Sequence, residues 1–122
     1  MAYTVRRLDH VQLAMPVGGE TEAETFYSGV LGLRPVPKPA PLADRGGRWF
    51  TGEGVTLHLG AEADFRPARK AHPALVVSGL DELVARIEAE GGTVRWDAEL
   101  PDVRRCFVDD PFGNRLELIA VS

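Results

Sequence analysis

The sequence predicts an α+β fold in which one βαβββ unit is used twice. Three observations carry that expectation. Hydrophobic residues switch between a period of two and a period near 3.6, in the order strand, helix, strand, strand, strand, and the order then recurs. Two strings also recur: HVQLAM from His10 is echoed by HPALVV from His72, and GVTLHL from Gly54 by GNRLEL from Gly113. Finally, the separation of His10 from His58 nearly equals that of His72 from Glu117. Two halves with matched spacing imply an internal duplication.

Each element has its own justification. Leu8–Met15 alternates, with Leu8, His10, Gln12 and Ala14 on one side and Val11, Leu13 and Met15 on the other; Pro16 and Gly18-Gly19 stop it. Ala23, Phe26, Tyr27 and Val30 form one helical stripe within 21–31, and Gly32 closes that helix as a glycine just past the last turn does. Pro35, Pro37, Pro39 and Pro41 allow a short edge strand at most, followed by a loop. Residues 46–51 and 55–60 read as two strands around the turn Gly52-Glu53-Gly54. Residues 61–70 connect the halves.

In the second half, 71–77 is a strand. Ser78 and Asp81 have the spacing of a capping box for the helix carrying Leu80, Leu83, Val84 and Ile87, which ends at Gly91-Gly92. Residues 93–96 form a further strand. The stretch RRCFVDDPFGNRLELIA, Arg104–Ala120, is then a hairpin: Asp110-Pro111 breaks its first strand and Gly113-Asn114 turns it. In the outgoing strand Leu116, Leu118 and Ala120 point one way, and Arg115, Glu117 and Ile119 the other.

The totals fit one domain, residues 1–122, with module 1 over about 5–60 and module 2 over about 71–121. A net charge of −4 supplies no basic footprint for nucleic acid or an anionic membrane. The single cysteine, Cys106, excludes an internal disulfide and suits a reducing compartment. The first residues contain no apolar run of the length a signal peptide or membrane span needs, so the expectation is a cytoplasmic protein.

Chemistry concentrates on one face. All three histidines and Glu117 lie on the first and last strands of the halves, opposite the aliphatic residues. That face gathers His10, Gln12, Thr56, His58, His72, Ala74, Arg115 and Glu117. Imidazole nitrogens and a carboxylate meeting in a partly dry site are what a divalent transition metal requires. Without an ion, several of them would be costly to desolvate there.

The strings LDHVQLAMP, FYSGVLGL, VTLHLG and FVDDPFGNRLELI span nearly the whole chain. They resemble the vicinal oxygen chelate superfamily of glyoxalases, bleomycin-resistance proteins and extradiol dioxygenases. The resemblance implies two βαβββ modules curling into an open, metal-centred barrel. It implies metal ligands from the first and fourth strands of each module, the slots held here by His10, His58, His72 and Glu117. Glu117 would double as the catalytic, proton-moving group. Gln12 and Arg115 would position substrate oxygens, Trp49, Phe107 and Phe112 would wall the pocket, and Arg48 would meet an anionic group.

Glyoxalase I has carboxylates on the fourth strand of both modules. His58 here removes one candidate base, which argues against ordinary glutathione-hemithioacetal chemistry. The expected activity is that of a divalent-metal-dependent lyase or isomerase, thiol transferase or extradiol-type dioxygenase acting on a small molecule with vicinal oxygens. The alternative is a protein that sequesters an antibiotic or metabolite in the same cleft. The sequence does not choose between Fe, Mn, Ni, Co and Zn. A homodimer is expected, because relatives complete their barrels between chains and twofold pairing is the commonest closed symmetry.

Overall fold

The computed structural model describes residues 2–121, and the duplication governs its architecture. In the first half, β1 (Val11–Pro16) is followed by α1 (Glu20–Ala23), which runs on as wider π-helical turns over Glu24–Val30. Then come β2 (Arg34–Val36), a 3-10 segment over Ala40–Arg45, β3 (Arg48–Gly52) and β4 (Val55–Glu62). The second half supplies β5 (Ala74–Val77), α2 (Leu80–Ala89), β6 (Val94–Asp97), β7 (Arg105–Asp109) and β8 (Arg115–Ala120). Strand order is β1-β4-β3-β2 in one sheet and β5-β8-β7-β6 in the other. Both are four-stranded, with a parallel pair at the start of each order and antiparallel pairs beyond it. They do not close into a barrel.

The repeat reaches the level of register. Gln12 pairs with His58 and Ala74 with Glu117; Trp49 pairs with His58 and Phe107 with Glu117. Under the sequence repeat these are the same pairs, so the two site strands hold equivalent places in their sheets.

Alternation sorts the faces as expected. Leu13, Met15, Leu57, Leu59, Leu116 and Leu118 are buried with Tyr27, Phe50, Val84 and Ile87 between sheets and helices. Burial of such side chains contributes about 1.5–3 kcal/mol each relative to exposure. No helix among the described residues is long and apolar enough to cross a membrane.

Three local expectations are corrected. Ser78 and Asp81 do not cap α2: its N-cap is Gly79, held at φ +75°, and no side chain bonds the first turn. A left-handed entry turns the chain so that glycine, not serine, occupies the cap. The first helix is only partly α, and its last amides bond Phe26, Ser28 and Tyr27 carbonyls around Gly32 at φ +78°. β4 runs two residues beyond Gly60, to Glu62.

One turn joins the halves. The Asp110 carboxylate, 5% exposed, accepts from the Tyr27 hydroxyl at 2.7 Å, from the backbone N–H of Phe112 and Asn114 at 2.9 and 2.8 Å, and from the Asn114 amide at 3.0 Å. Asn114 also donates to the Ala14 carbonyl of β1 at 2.8 Å and accepts from the Ala68 N–H at 2.9 Å. Burial and the adjacent Asp110 push the Tyr27 phenol well above its ordinary pKa, so it remains a donor.

Asp110→Ala orphans all of these donors and is expected to cost about 3 kcal/mol or more by urea unfolding, against about 1 kcal/mol for Tyr27→Phe.

Candidate metal centre

The four proposed ligands are assembled as two pairs. His10 and His72 lie just ahead of β1 and β5, while His58 and Glu117 sit in the middle of β4 and β8, the strands that pair with them. Because β4 and β8 are flanked on both sides, His58 and Glu117 are nearly buried, 8% and 7% exposed, and need partners.

In module 2 those partners are polar. His72 Nε2 lies 3.0 Å from Glu117 Oε1. The other carboxylate oxygen accepts from Arg105 Nη1 at 3.1 Å, and Arg105 Nη2 donates to Asp97 at 2.7 Å. Burial opposes the charge on Arg105, but the bonds to Glu117 and Asp97 outweigh it and raise its pKa. Phe107 meets His72 edge to face, 5.5 Å between centroids, and carries the Arg115 guanidinium 4.1 Å over its ring. The Nε atoms of Arg105 and Arg115 are buried without a hydrogen-bond partner.

In module 1 the equivalent side chains stack. His58 lies 3.8 Å from Trp49 at an interplanar angle of 1°, and 4.1 Å from His10 at 22°. Because β4 lies between β3 and β1, the two neighbours cover opposite faces of His58. Burial, and then the nearby His10, hold the His58 pKa below its ordinary value.

The donor chemistry fits an ion in module 2. His72 Nδ1 faces the Lys70 carbonyl at 2.8 Å, and a carbonyl only accepts, so the ring proton is there. In the neutral ring, Nε2 and the Glu117 carboxylate then present lone pairs to each other, an arrangement that a proton or a cation must bridge. Two ligands about 2.1 Å from one ion at a right angle are about 3.0 Å apart, which matches the observed separation. His10 is prepared in the same way, its Nδ1 held by Asp9 Oδ2 at 3.0 Å. Among the described residues, however, no three His, Cys, Asp or Glu side chains converge within one chain. The His10–His58 pair does not join the His72–Glu117 pair.

Of the other expected site residues, Trp49, Phe107 and Arg115 lie against the two pairs. Gln12 is opposite His58 in register, and its amide rests over Gly60, where a Cβ would stand 2.8 Å from Nε2. Two are elsewhere. Arg48 pairs with Leu59 on the helix-facing side and reaches Glu24 at 3.7 Å, because alternation turns it away from Trp49. Phe112 packs beside Phe65 and Gly19 at the β7–β8 turn. Asp9, Asp97 and the Lys70 carbonyl escaped the sequence reading, although Asp9 adjoins His10 in the chain.

Comparison with known proteins bears on the family and the fold. The family model described as a glyoxalase-like domain matches residues 13–119. The chain belongs to this glyoxalase-like family. A protein of Bacillus anthracis described as a glyoxalase family member has 43% identity over 100% of both chains, with a TM-score of 0.94. A variant of the fosfomycin resistance protein FosX of Listeria monocytogenes, complexed with Mn(II) and 1S,2S-dihydroxypropylphosphonic acid, aligns at TM-score 0.81, with 15% identity over 98% and 95% of the chains. A glyoxalase/dioxygenase of Nostoc punctiforme gives 0.73, with 20% identity over 100% and 99%. At these identities the last two share the fold with this glyoxalase-like domain. No curated protein matches it in sequence.

A depressed His58 pKa means that the unfolded chain binds the extra proton first. Stability is therefore expected to fall as pH drops below the ordinary histidine value of 6.5. His58→Phe, compared with the unaltered chain in urea titrations from pH 7.5 to 5.5, should flatten that slope.

Proposed function

We propose that the chain is a divalent-metal-dependent enzyme of the vicinal oxygen chelate superfamily, acting on a small molecule with adjacent oxygens. The observation that carries this reading is the His72–Glu117 pair: Nε2 stands 3.0 Å from the carboxylate oxygen while Nδ1 faces the Lys70 carbonyl, so that in the neutral ring both would offer lone pairs to one cation. The ligands are drawn from among His10, His58, His72 and Glu117, with His72 and Glu117 already side by side. A bound ion would supply Lewis-acid stabilisation of an oxyanion developing on the substrate.

The chain's own residues do the rest. Asp9 and the Lys70 carbonyl fix the ring protons of His10 and His72. Arg105 holds one oxygen of Glu117, and the other, which faces His72, ligates or moves a proton. Arg115 stacks on Phe107 without a carboxylate partner among the described residues, and with Gln12 it binds substrate oxygens. Trp49 and Phe107 exclude water.

The two pairs belong to different sheets, so the centre is completed by a second copy, module 1 of one chain facing module 2 of the other. Three features support this: neither sheet closes on itself, β1 and β5 are edge strands, and Tyr3, Val5, Leu8 and Val76 are exposed.

A second reading, sequestration of a small molecule without a metal, draws on the lack of three converging donors among the described residues of one chain. Chelation separates the two, since ligand binding that survives exhaustive EDTA treatment favours sequestration. For the enzyme, elemental analysis and Mn(II) titration of protein purified without a nickel column should give one ion per chain in a dimer. Glu117→Ala should weaken binding more than tenfold, and Asp9→Ala about tenfold. A monomer that takes up no divalent metal would end the proposal.

A further inference from the structure

The two imidazoles of module 1 are not equivalent as ligands. An imidazole binds a metal through a lone pair in its own ring plane, about 2.1 Å from the nitrogen. An ion shared by His10 and His58 would have to lie in both planes at once. Their centroids are 4.1 Å apart and their planes are tilted by only 22°. Over the reach of a bond of about 2.1 Å, that tilt closes only about 1 Å of the separation. As stacked, the rings cannot meet at one ion.

Which of the two ligates follows from what holds each. His10, like His72, has its Nδ1 fixed by an oxygen acceptor, which orients Nε2 outward. His58 is held by its faces, between Trp49 at 3.8 Å and His10. The equivalent position in module 2 is Glu117, whose slender carboxylate reaches His72 edge-on. The broader imidazole at 58 packs flat against its neighbour instead.

We infer that His58 is a positioning residue and not a metal ligand: with Trp49 it forms a rigid aromatic shelf that sets the plane of the His10 ring. This rests on the metal-centre reading above, and it leaves two histidines and one carboxylate as the protein's ligands. The shelf acts through ring shape and not through its nitrogens, so a phenyl ring can replace it.

The test uses the full chain, stripped of metal and titrated with Mn(II) by calorimetry, with pulsed EPR counting coupled imidazole nitrogens in protein labelled with ¹⁵N-histidine. Two coordinated histidines are expected in the unaltered chain. His58→Phe should keep that two-histidine signature and hold affinity within about threefold. His58→Ala should lose about three- to tenfold, and His10→Ala more than tenfold with one nitrogen left. Rescue by Phe of what Ala loses separates ring positioning from general loss of fold. Three coordinated histidines, a nitrogen lost in His58→Phe, or unchanged affinity in His58→Ala would overturn the assignment. No Mn(II) binding by the unaltered chain would instead overturn the metal centre itself, and the assignment with it.

Discussion

The buried carboxylate of Asp110 is the constraint on which the rest of the molecule depends. A charge in that position is tolerable only when its lone pairs are occupied, and they are: one phenol, two backbone amides and one side-chain amide point at it. The phenol belongs to the first half of the chain and the other donors to the second. Asn114 extends the network to the β1 backbone. The same turn starts β8, so the bond that fastens the halves also fixes the height at which Glu117 stands. Core packing supplies the driving force. This network supplies the alignment.

From that alignment follow two sites built on one plan. Register places an aromatic ring beside each central side chain, Trp49 next to His58 and Phe107 next to Glu117. What fills the plan differs. A carboxylate in the middle of β8 recruits an imidazole and a guanidinium, His72 and Arg105, and becomes the hub of a polar cluster. An imidazole in the middle of β4 recruits rings and becomes the middle of a stack. One exchange of side chain has made one half of the duplication polar and directional, and the other half flat and stiff.

Most of the architecture was legible in the sequence because its signals are periodic. Alternation along β1, β4 and β8 fixed the faces, and the echo of HVQLAM in HPALVV located the equivalent strands. The pairing of each histidine or Glu117 with its strand neighbour was legible for the same reason. Contacts across the strands were not. That Arg105 would grip Glu117 depends on a diagonal between β7 and β8, and nothing local in RRCFV encodes it. The stack of His58 on Trp49 is likewise a product of pairing. Arg48 was assigned to the site by its charge, although alternation with Trp49 already placed it on the other side. The capping box at Ser78 matched in spacing but yielded to the handedness of Gly79, a tertiary requirement that side-chain types do not reveal.

Cys106 lies on β7 between Arg105 and Phe107, so its thiol faces the helix layer, fully buried, where burial raises its pKa. It stands one residue from the polar cluster yet on the wrong side of the sheet to take part in its chemistry. A thiol so placed is shielded from oxidants and alkylating reagents while the second sheet is intact. Because it is the chain's lone sulfhydryl, its labelling rate is a built-in clock for how often that sheet opens.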